Sequence, residues 1–416
     1  VKHSKQNLLR ILTINSGSSS LKLSLYHMAG TSETLVLSGD IERIGLRAGL
    51  FHVKDVNGDT LVHRHLDLPD HDTALGVLFE WLANYAPGQD LCAVGHRVVH
   101  GGPKYNQPHL ITSELMAALN ELVPLAPDHL PHELHAIQAV SRMYPSLTQV
   151  ACFDTAYHRH MPALAQMYAL PRYLMHEGVM RYGFHGLSYE YIMQELRSTA
   201  GPEVADGRVI AAHLGNGASM TAVRNGKSVD TTMGFTPTGG LVMSTRSGDL
   251  DPGVVLFLLE EKGMRPHAVN VMLNQQAGLL AVSGVSSDMK ALLNNAWEDS
   301  RVSEAVELFC YQARKYLGAL AAVLAGLDTL IFTGGIGENA PAVRECITRD
   351  MEFLGIHLNA VRNNANAAVI SDDSSPVTVR VMKTNEELMI ARHTRNLIRQ
   401  VSADAVLANG PKQEIV

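Results

Sequence analysis

One pattern occurs twice in this chain, and it limits the possible folds more than any other feature. In the middle, an apolar run Val209–Ala212 ends in His213, then Leu214, passes through Gly215-Asn216-Gly217 and resumes as an alternating run to Val223. Near the start, Leu8 to Ile14 leads into Asn15-Ser16-Gly17-Ser18-Ser19-Ser20 and out through Leu21 to Tyr26. Each copy reads as strand, polar glycine turn, strand. Glycine lets the main chain turn sharply and lets a ligand approach it, and successive turn N–H groups form a concavity suited to phosphate oxygens. Gly17 and Gly217 hold matching places. The pattern predicts two related halves facing one polyphosphate, in an internally duplicated phosphate-handling enzyme.

Length agrees with duplication: 416 residues exceed one ordinary core, so two domains are expected. The net charge of −7 argues against a nucleic-acid binder, although a local Arg/Lys cluster would still serve a small anion. Cys92, Cys152, Cys310 and Cys346 are scattered without a C-x-x-C pair, which reads as a reduced compartment without structural zinc. The start, VKHSKQNLLR, has no apolar signal core, and the apolar stretch Tyr316 to Leu327 is too short to span a bilayer. A soluble cytoplasmic protein is expected, with no membrane partner.

Further strands are expected at Thr34 to Ser38, Leu50 to Val53 and Thr60 to His63, with Asn57-Gly58 as a hairpin turn. Thr73 to Ala83, Leu115 to Leu122 and His132 to Met143 have helical spacing. A short strand, Leu91 to Val94, empties into GHRVVHGG, and a strand Thr148 to Phe153 ends at Asp154. Both deliver charged residues near strand carboxyl ends, where open α/β sheets place ligands. In the second half, helices are expected at Ser188 to Leu196, Val254 to Glu260 and Val302 to Ala325, and from Pro341. Asp328 to Phe332 and Val377 to Val381 read as strands, and Glu386 to Arg399 as the last helix. The stretch GFTPTGGLVMSTRSGDLDPG is too polar and glycine-rich for a core element and reads as a functional loop. The domain boundary is placed just after Asp154.

Several motifs carry chemistry, each beside a plainer reading. Ser18, Ser20 and Lys22 would share one strand face and, with Asn15, suit phosphate or its metal; a solvated surface hairpin reads equally well. Arg97 and His100 follow a buried strand; the Arg fork suits a carboxylate or phosphoryl group, or is a surface loop residue. In Asp128-His129-Leu130-Pro131-His132-Glu133-Leu134-His135, two histidines flank Glu133 at a spacing of three, which is not H-E-x-x-H. A polar loop before a helix, with one active-site histidine, is the better reading than zinc. Asp154 in ACFDTAYH and His185 in RYGFHG are functional or structural. Gly226-Lys227-Ser228 lacks the earlier glycine of a P-loop, since Thr221 stands there. Gly335-Ile336-Gly337-Glu338-Asn339-Ala340 fits G-x-G-x-x-A, but GIHLNA downstream has no acidic residue for a nicotinamide site. Such a turn at a helix start also suits an adenosine or its phosphates.

Taken together, INSGSSSLK, GHRVVHGG, FDTAYH, RYGFHG, AHLGNGAS, TRSGDLDPG, FTGGIGENA and TNEELMIAR, in this order from about Leu12 to Arg392, resemble the acetate kinase family. That family lies within the sugar kinase, heat-shock ATPase and actin superfamily. The resemblance implies an α/β fold of two duplicated ribonuclease H-like, actin-like ATPase domains with an active-site cleft between them. Residues 1–155 would form the acyl and Mg²⁺ side, completed by a C-terminal helix 386–416; residues 156–385 would bind nucleotide and dimerise. It implies acetate + ATP ⇌ acetyl phosphate + ADP, a homodimer, domain closure, and Mg²⁺ with Mn²⁺ as an alternative. Asn15 and Glu386 would hold the metal; Lys22, Ser18 and Ser20 would lie at the nucleotide phosphates; Arg97 and Val99 would bind the acyl substrate. Asp154 would be the catalytic carboxylate, and His185 and Arg246, with His129 nearby, would stabilise the transferring group. His213, Leu214, Gly215, Asn216, Gly217, Asp288, Met289, Lys290, Gly335, Ile336, Gly337, Glu338 and Asn339 would bind ATP.

The chain departs from the family pattern in places. Asp128 and Leu130 stand for an apolar residue and an Asn, which bears on acyl chain length, and Lys290 stands for an Arg, which bears on nucleotide choice. Thr238-Gly239, Ser244 and Leu187-Ser188-Tyr189 also differ. A kinase for propionate or butyrate and a non-catalytic nucleotide switch are the alternatives; the joint presence of Arg97, Asp154, His185 and Arg246 argues against the switch.

Overall fold

A computed structural model describes residues 8–17, 19–85, 91–295 and 299–408. Ser18 and residues 409–416 of the expected last helix lie outside the described residues. The chain divides into two compact units, Val1–Ala156 with Asn385–Val416, and Tyr157–Thr384.

In the first unit, β1 (Leu9–Ser16), β2 (Ser20–Ala29), β3 (Ser32–Glu42), β4 (Gly49–Asp55) and β5 (Thr60–Leu66) form an antiparallel meander. β6 (Ala93–Val98), β7 (His109–Leu110) and β8 (Thr148–Phe153) complete the sheet in the order β5-β4-β3-β2-β1-β6-β8-β7. β1, β6 and β8 are parallel, so their carboxyl ends, at Ser16, Val98 and Phe153, share one edge. Helix α1 (His71–Tyr85) starts where Asp70 Oδ1 accepts the Thr73 N–H at 2.8 Å. It buries Ala74, Leu75, Leu78, Phe79 and Leu82, a stripe at helical spacing, in one core with Leu12, Leu23 and Phe51. Burial of each such large side chain is worth about 1.5–3 kcal/mol. Helices α2 (Ser113–Glu121) and α3 (Leu130–Met143) follow.

The final helix, Glu386–Ala408, returns to this unit and packs on β1, β2, β6 and β8. It comes so close to β6 that a Cβ on Gly95 would lie 2.3 Å from Thr394 Oγ1 and 2.5 Å from Ile390 Cγ2. Glycine is required there by contact rather than by turn geometry. Arg392 pins the helix to β3 through Glu33 at 2.7 Å.

In the second unit, β9 (Val209–Leu214), β10 (Ala218–Arg224), β11 (Lys227–Thr231), β12 (Thr329–Thr333) and β13 (Thr378–Val381) are ordered β11-β10-β9-β12-β13. β9, β12 and β13 are parallel, and β10 and β11 antiparallel. This repeats, strand for strand and direction for direction, β1, β2, β3, β6 and β8. The two glycine turns close equivalent hairpins, β1–β2 and β9–β10, so the duplication is present in the fold.

Two expectations change. The strand placed at Leu91 to Val94 runs instead from Ala93 to Val98, so Arg97 lies on it rather than after it. Polar residues are tolerated in this central strand because each has a partner: His96 Nε2 is 2.8 Å from Gln149 Oε1, and Arg97 faces Asp154. The glycine turn after β12 is itself helical, Gly334–Asn339, and a second helix, Pro341–Thr348, starts with Pro at its first position. Short helices at Pro266–Gln275 and Gly278–Ser283 also escape a periodicity reading.

Candidate active site

In the first unit, the shared strand edge gathers four of the candidate residues. Arg97, near the end of β6, donates from Nε to Asp154 Oδ1 at 3.2 Å and from Nη2 to Oδ2 at 2.5 Å. Its Nη1 donates to Asn15 Oδ1 on β1 at 3.3 Å, and Glu386 Oε2 stands 3.7 Å from Nε. Asp154 is wholly buried, while the Arg97 and Glu386 side chains keep 15% and 14% exposure, so the fork is reachable from solvent. Burial alone would lower the Arg97 pKa, but the carboxylates of Asp154 and Glu386 override it and hold the guanidinium charged. Burial pushes the Glu386 carboxyl above its ordinary range, against the pull of Arg97. Lys22 lies directly across the hairpin from Asn15 and is exposed, with Ser20 two residues before it on the same strand face.

Val99 is buried just past β6, and its N–H donates to Glu133 Oε2 at 2.9 Å. His129 caps the start of α3, and the Glu133 N–H donates to its carbonyl at 3.2 Å. The histidines of the zinc-like run turn elsewhere. His132 stacks on His71 of α1 at 5.4 Å, and His135 Nε2 is 3.2 Å from Asp72. His71 Nε2 in turn is 2.9 Å from the Gly17 carbonyl and braces the first glycine turn.

In the second unit, the turn after β9 is closed by the Gly215 N–H to the Gly217 carbonyl at 3.0 Å. The Ser244 N–H and Oγ both reach Asn216, each at 3.2 Å, which ties the turn to the long loop. His185 precedes the helix Gly186–Ala200 at a left-handed φ of 59°. Its Nδ1 is 2.8 Å from Ser219 Oγ, and its ring stacks on His213 at 4.2 Å. His213 Nδ1 is 2.8 Å from Ser188 Oγ. A Cβ on Gly217 would lie 3.1 Å from His185 Nε2 and 3.7 Å from Arg246 Nη1, so the bare glycine lets the two side chains converge. Arg246 is held by Nη1 on the Pro237 carbonyl at 3.2 Å.

β9 and β12 are neighbours, so their turns lie side by side: a Cβ on Gly215 would be 4.0 Å from Gly335 N, and one on Gly335 would meet nothing. Glu338 Oε1 accepts from Gly334 N–H at 3.0 Å and Thr384 N–H at 3.2 Å, so it shapes the turn. Asn339 Nδ2 donates to the Gly335 carbonyl at 3.0 Å, while Gly337 is buried and Ile336 partly so. Asp288 caps the helix Met289–Asn295 through the Ala291 N–H at 3.0 Å; Met289 is buried and Lys290 exposed.

Ser219 and Arg344 were not singled out from the sequence, and Glu133 was named only as the centre of the zinc-like run. Glu133 had a signal, since a carboxylate sits on the apolar stripe Leu130, Leu134, Ile137. Arg344, fully buried, donates to the Gly337 carbonyl at 2.8 Å and to Asn363 Oδ1 at 2.8 Å. Nothing local marks it, or Ser219 inside β10.

Chemically, the first unit offers an oriented guanidinium fork for a carboxylate beside hard oxygen donors. The second offers glycine turns rich in N–H groups beside an imidazole and a guanidinium. A model described as the acetokinase family matches residues 10–392. An acetate kinase of Rhodopseudomonas palustris (strain TIE-1) is 48% identical over 394 residues, 93% of this chain and 98% of that protein. The crystal structure of Porphyromonas gingivalis acetate kinase aligns with 94% of this chain and 100% of its own at 38% identity, with a TM-score of 0.83. That of a propionate kinase from Francisella tularensis aligns with 93% and 99% at 35% identity, with a TM-score of 0.87.

Proposed function

The chain belongs to the acetokinase family, and from that premise we propose that it catalyses acetate + ATP ⇌ acetyl phosphate + ADP. The observation that carries this reading is the Arg97 fork, aligned by Asp154 and Asn15 at the carboxyl ends of three parallel strands. A carboxylate acceptor is already ionised and nucleophilic, so the reaction needs no strong base. Its barrier is bringing anions together in line, and fixed cations lower it.

Arg97 binds the acceptor carboxylate, with Val99 in the wall beside it. Asp154 acts on Arg97, orienting the fork rather than taking a proton. His185 and Arg246 stabilise the transferring phosphoryl group, with His129 as a further polar contributor, and Lys22 and Ser20 meet the nucleotide phosphates. The turns at His213 to Gly217 and Gly335 to Asn339 supply N–H groups to phosphates, and Asp288 to Lys290 lies with the nucleoside. Asn15 and Glu386 fit Mg²⁺: both offer hard oxygens, both lie against Arg97, and the Glu386 carboxyl stays above its ordinary range in spite of the pull of Arg97 and Lys22. The ion, or Mn²⁺ in its place, would neutralise phosphate charge; with two protein oxygens, it would complete its shell with phosphate and water.

The first unit is thus the acyl side and the second the nucleotide side. The second also carries the dimer surface: helix Pro252–Glu260 buries none of its residues and exposes Val254, Leu256 and Phe257 at 42%, 53% and 49%. So apolar an exposed helix calls for a partner, and a second copy is the proposed one. No helix among the described residues is long and apolar enough to cross a membrane, and the proposed setting is the cytoplasm.

The deciding assay supplies ATP and Mg²⁺ with acetate, propionate or butyrate and traps acyl phosphate as hydroxamate. The highest kcat/KM is expected with acetate, and chelation of the metal should abolish turnover. Higher kcat/KM with propionate would move the assignment to that acid; no product from any acid would end the reading.

A further inference from the structure

Glu133 is a carboxyl group where the fold has no evident use for one. It lies on the inner face of α3, only 2% exposed. One oxygen, Oε2, accepts the Val99 N–H at 2.9 Å, and Oε1 has no hydrogen-bond partner. An amide or an apolar residue would fill the position at lower cost if packing were its whole purpose. The group it holds is the main chain of the acyl wall, two residues past the Arg97 fork.

We propose that Glu133 is a positioning and specificity-setting residue for the carboxylate substrate: its side chain fixes the Val99 main chain, and its charge state sets how strongly Arg97 draws the substrate anion. The inference rests on the carboxylate-kinase reading above. Arg97 already answers two carboxylates, Asp154 and Glu386. An ionised Glu133 would add a third and oppose an incoming anion. Burial keeps Glu133 protonated, pushing its pKa to about 8; Arg97 and the Val99 N–H pull the other way, and Asp154 reinforces the rise. At neutral pH the carboxyl therefore steadies Val99 without competing for the guanidinium.

The charged groups facing Glu133 are Arg97 from β6 and Asp154 from the end of β8. From α1, His71 and Asp72 face His132 and His135 instead, while α2 buries only Leu115 and Leu119. A unit charge close to an anion, screened nearly as in water, changes its binding by about 1 kcal/mol or somewhat more, about fivefold to tenfold.

The test is the pH dependence of the acetate KM, read from initial rates of ADP release between about pH 7 and about pH 9.5, where acetate stays fully ionised. In the unaltered protein, the acetate KM should rise about fivefold to tenfold through about pH 8, while the ATP KM moves less than about twofold. Glu133→Gln keeps an oxygen for the Val99 N–H and cannot ionise, so it should flatten the rise. Glu133→Ala should raise the acetate KM across the whole range. A flat acetate KM in the unaltered protein overturns the inference, whether or not either variant folds. So does an undiminished rise in Glu133→Gln. Absence of acyl phosphate at every pH would instead overturn the carboxylate-kinase reading on which the inference rests.

Discussion

Replacing Arg97 by Ala should separate two roles that the residue combines. Asp154 is fully buried and receives two hydrogen bonds from Arg97, at 3.2 and 2.5 Å. Removing the guanidinium takes the Arg97 charge away from that buried carboxylate, a change that costs about 3–5 kcal/mol in buried settings. Removing both partners, in Arg97→Ala with Asp154→Ala, eliminates the buried charge, so the double variant should be less destabilised than the sum of the singles by about 2 kcal/mol. With two structural units, one global transition is not assured. Hydrogen exchange at β6 and β8 amides reads the local effect directly. Function should not recover with stability. Loss of two charge-assisted bonds to the substrate predicts a fall in kcat/KM for acetate of about 10²–10³-fold in both Arg97→Ala and the double variant, with the ATP KM within about threefold. Additive destabilisation would show that the pair is not coupled. Equal damage to acetate and ATP would show that the acyl site is misplaced.

Three other outcomes are expected. His96 and His158 are buried, and burial holds both imidazoles down to about 4, below their ordinary 6.5, in spite of hydrogen bonds to Gln149 and the Phe184 carbonyl. The unfolded chain therefore binds more protons between these values. Stability should be full above about pH 6.5 and fall by up to about 3 kcal/mol per residue toward about pH 4, as read from urea midpoints; a flat profile would refute this. Arg344→Met removes the donor that holds Gly337 at 2.8 Å and leaves Asn363 unsatisfied, so a stability loss of about 2–4 kcal/mol and a raised ATP KM are expected, with the acetate KM unchanged. Phe257→Asp, on the exposed apolar helix, should yield monomers in sedimentation while leaving far-ultraviolet dichroism intact; an unaltered dimer would place the interface elsewhere.

How far the sequence could be read differs by element, for physical reasons. The hairpins around Gly17 and Gly217 were legible because turn chemistry and strand alternation are local. So were α1 and α3, whose apolar stripes repeat at helical spacing. The end of β6 was not. GHRV looks like a loop until β1 and β8 flank it and supply backbone partners and a carboxylate. Helix Pro252–Glu260 misleads in the opposite sense, because its composition suits a core and the fold leaves it on the surface.

The sequence by itself determined the duplicated plan, the order of the motifs and the family, since these depend on near-neighbour periodicity and on residue identities at turns. Tertiary structure alone decided which groups meet. Arg97 finds Asp154 because β6 and β8 run parallel in register, with Arg97 opposite Cys152. Glu133 finds Val99 because α3 lays its buried face against β6. Cys310, which reads as scattered, sets its Sγ 3.9 Å from the Val343 carbonyl because helices Ser300–Leu324 and Pro341–Thr348 pack together. Such pairings depend on strand register and helix placement over long separations, and no local pattern in the chain encodes them.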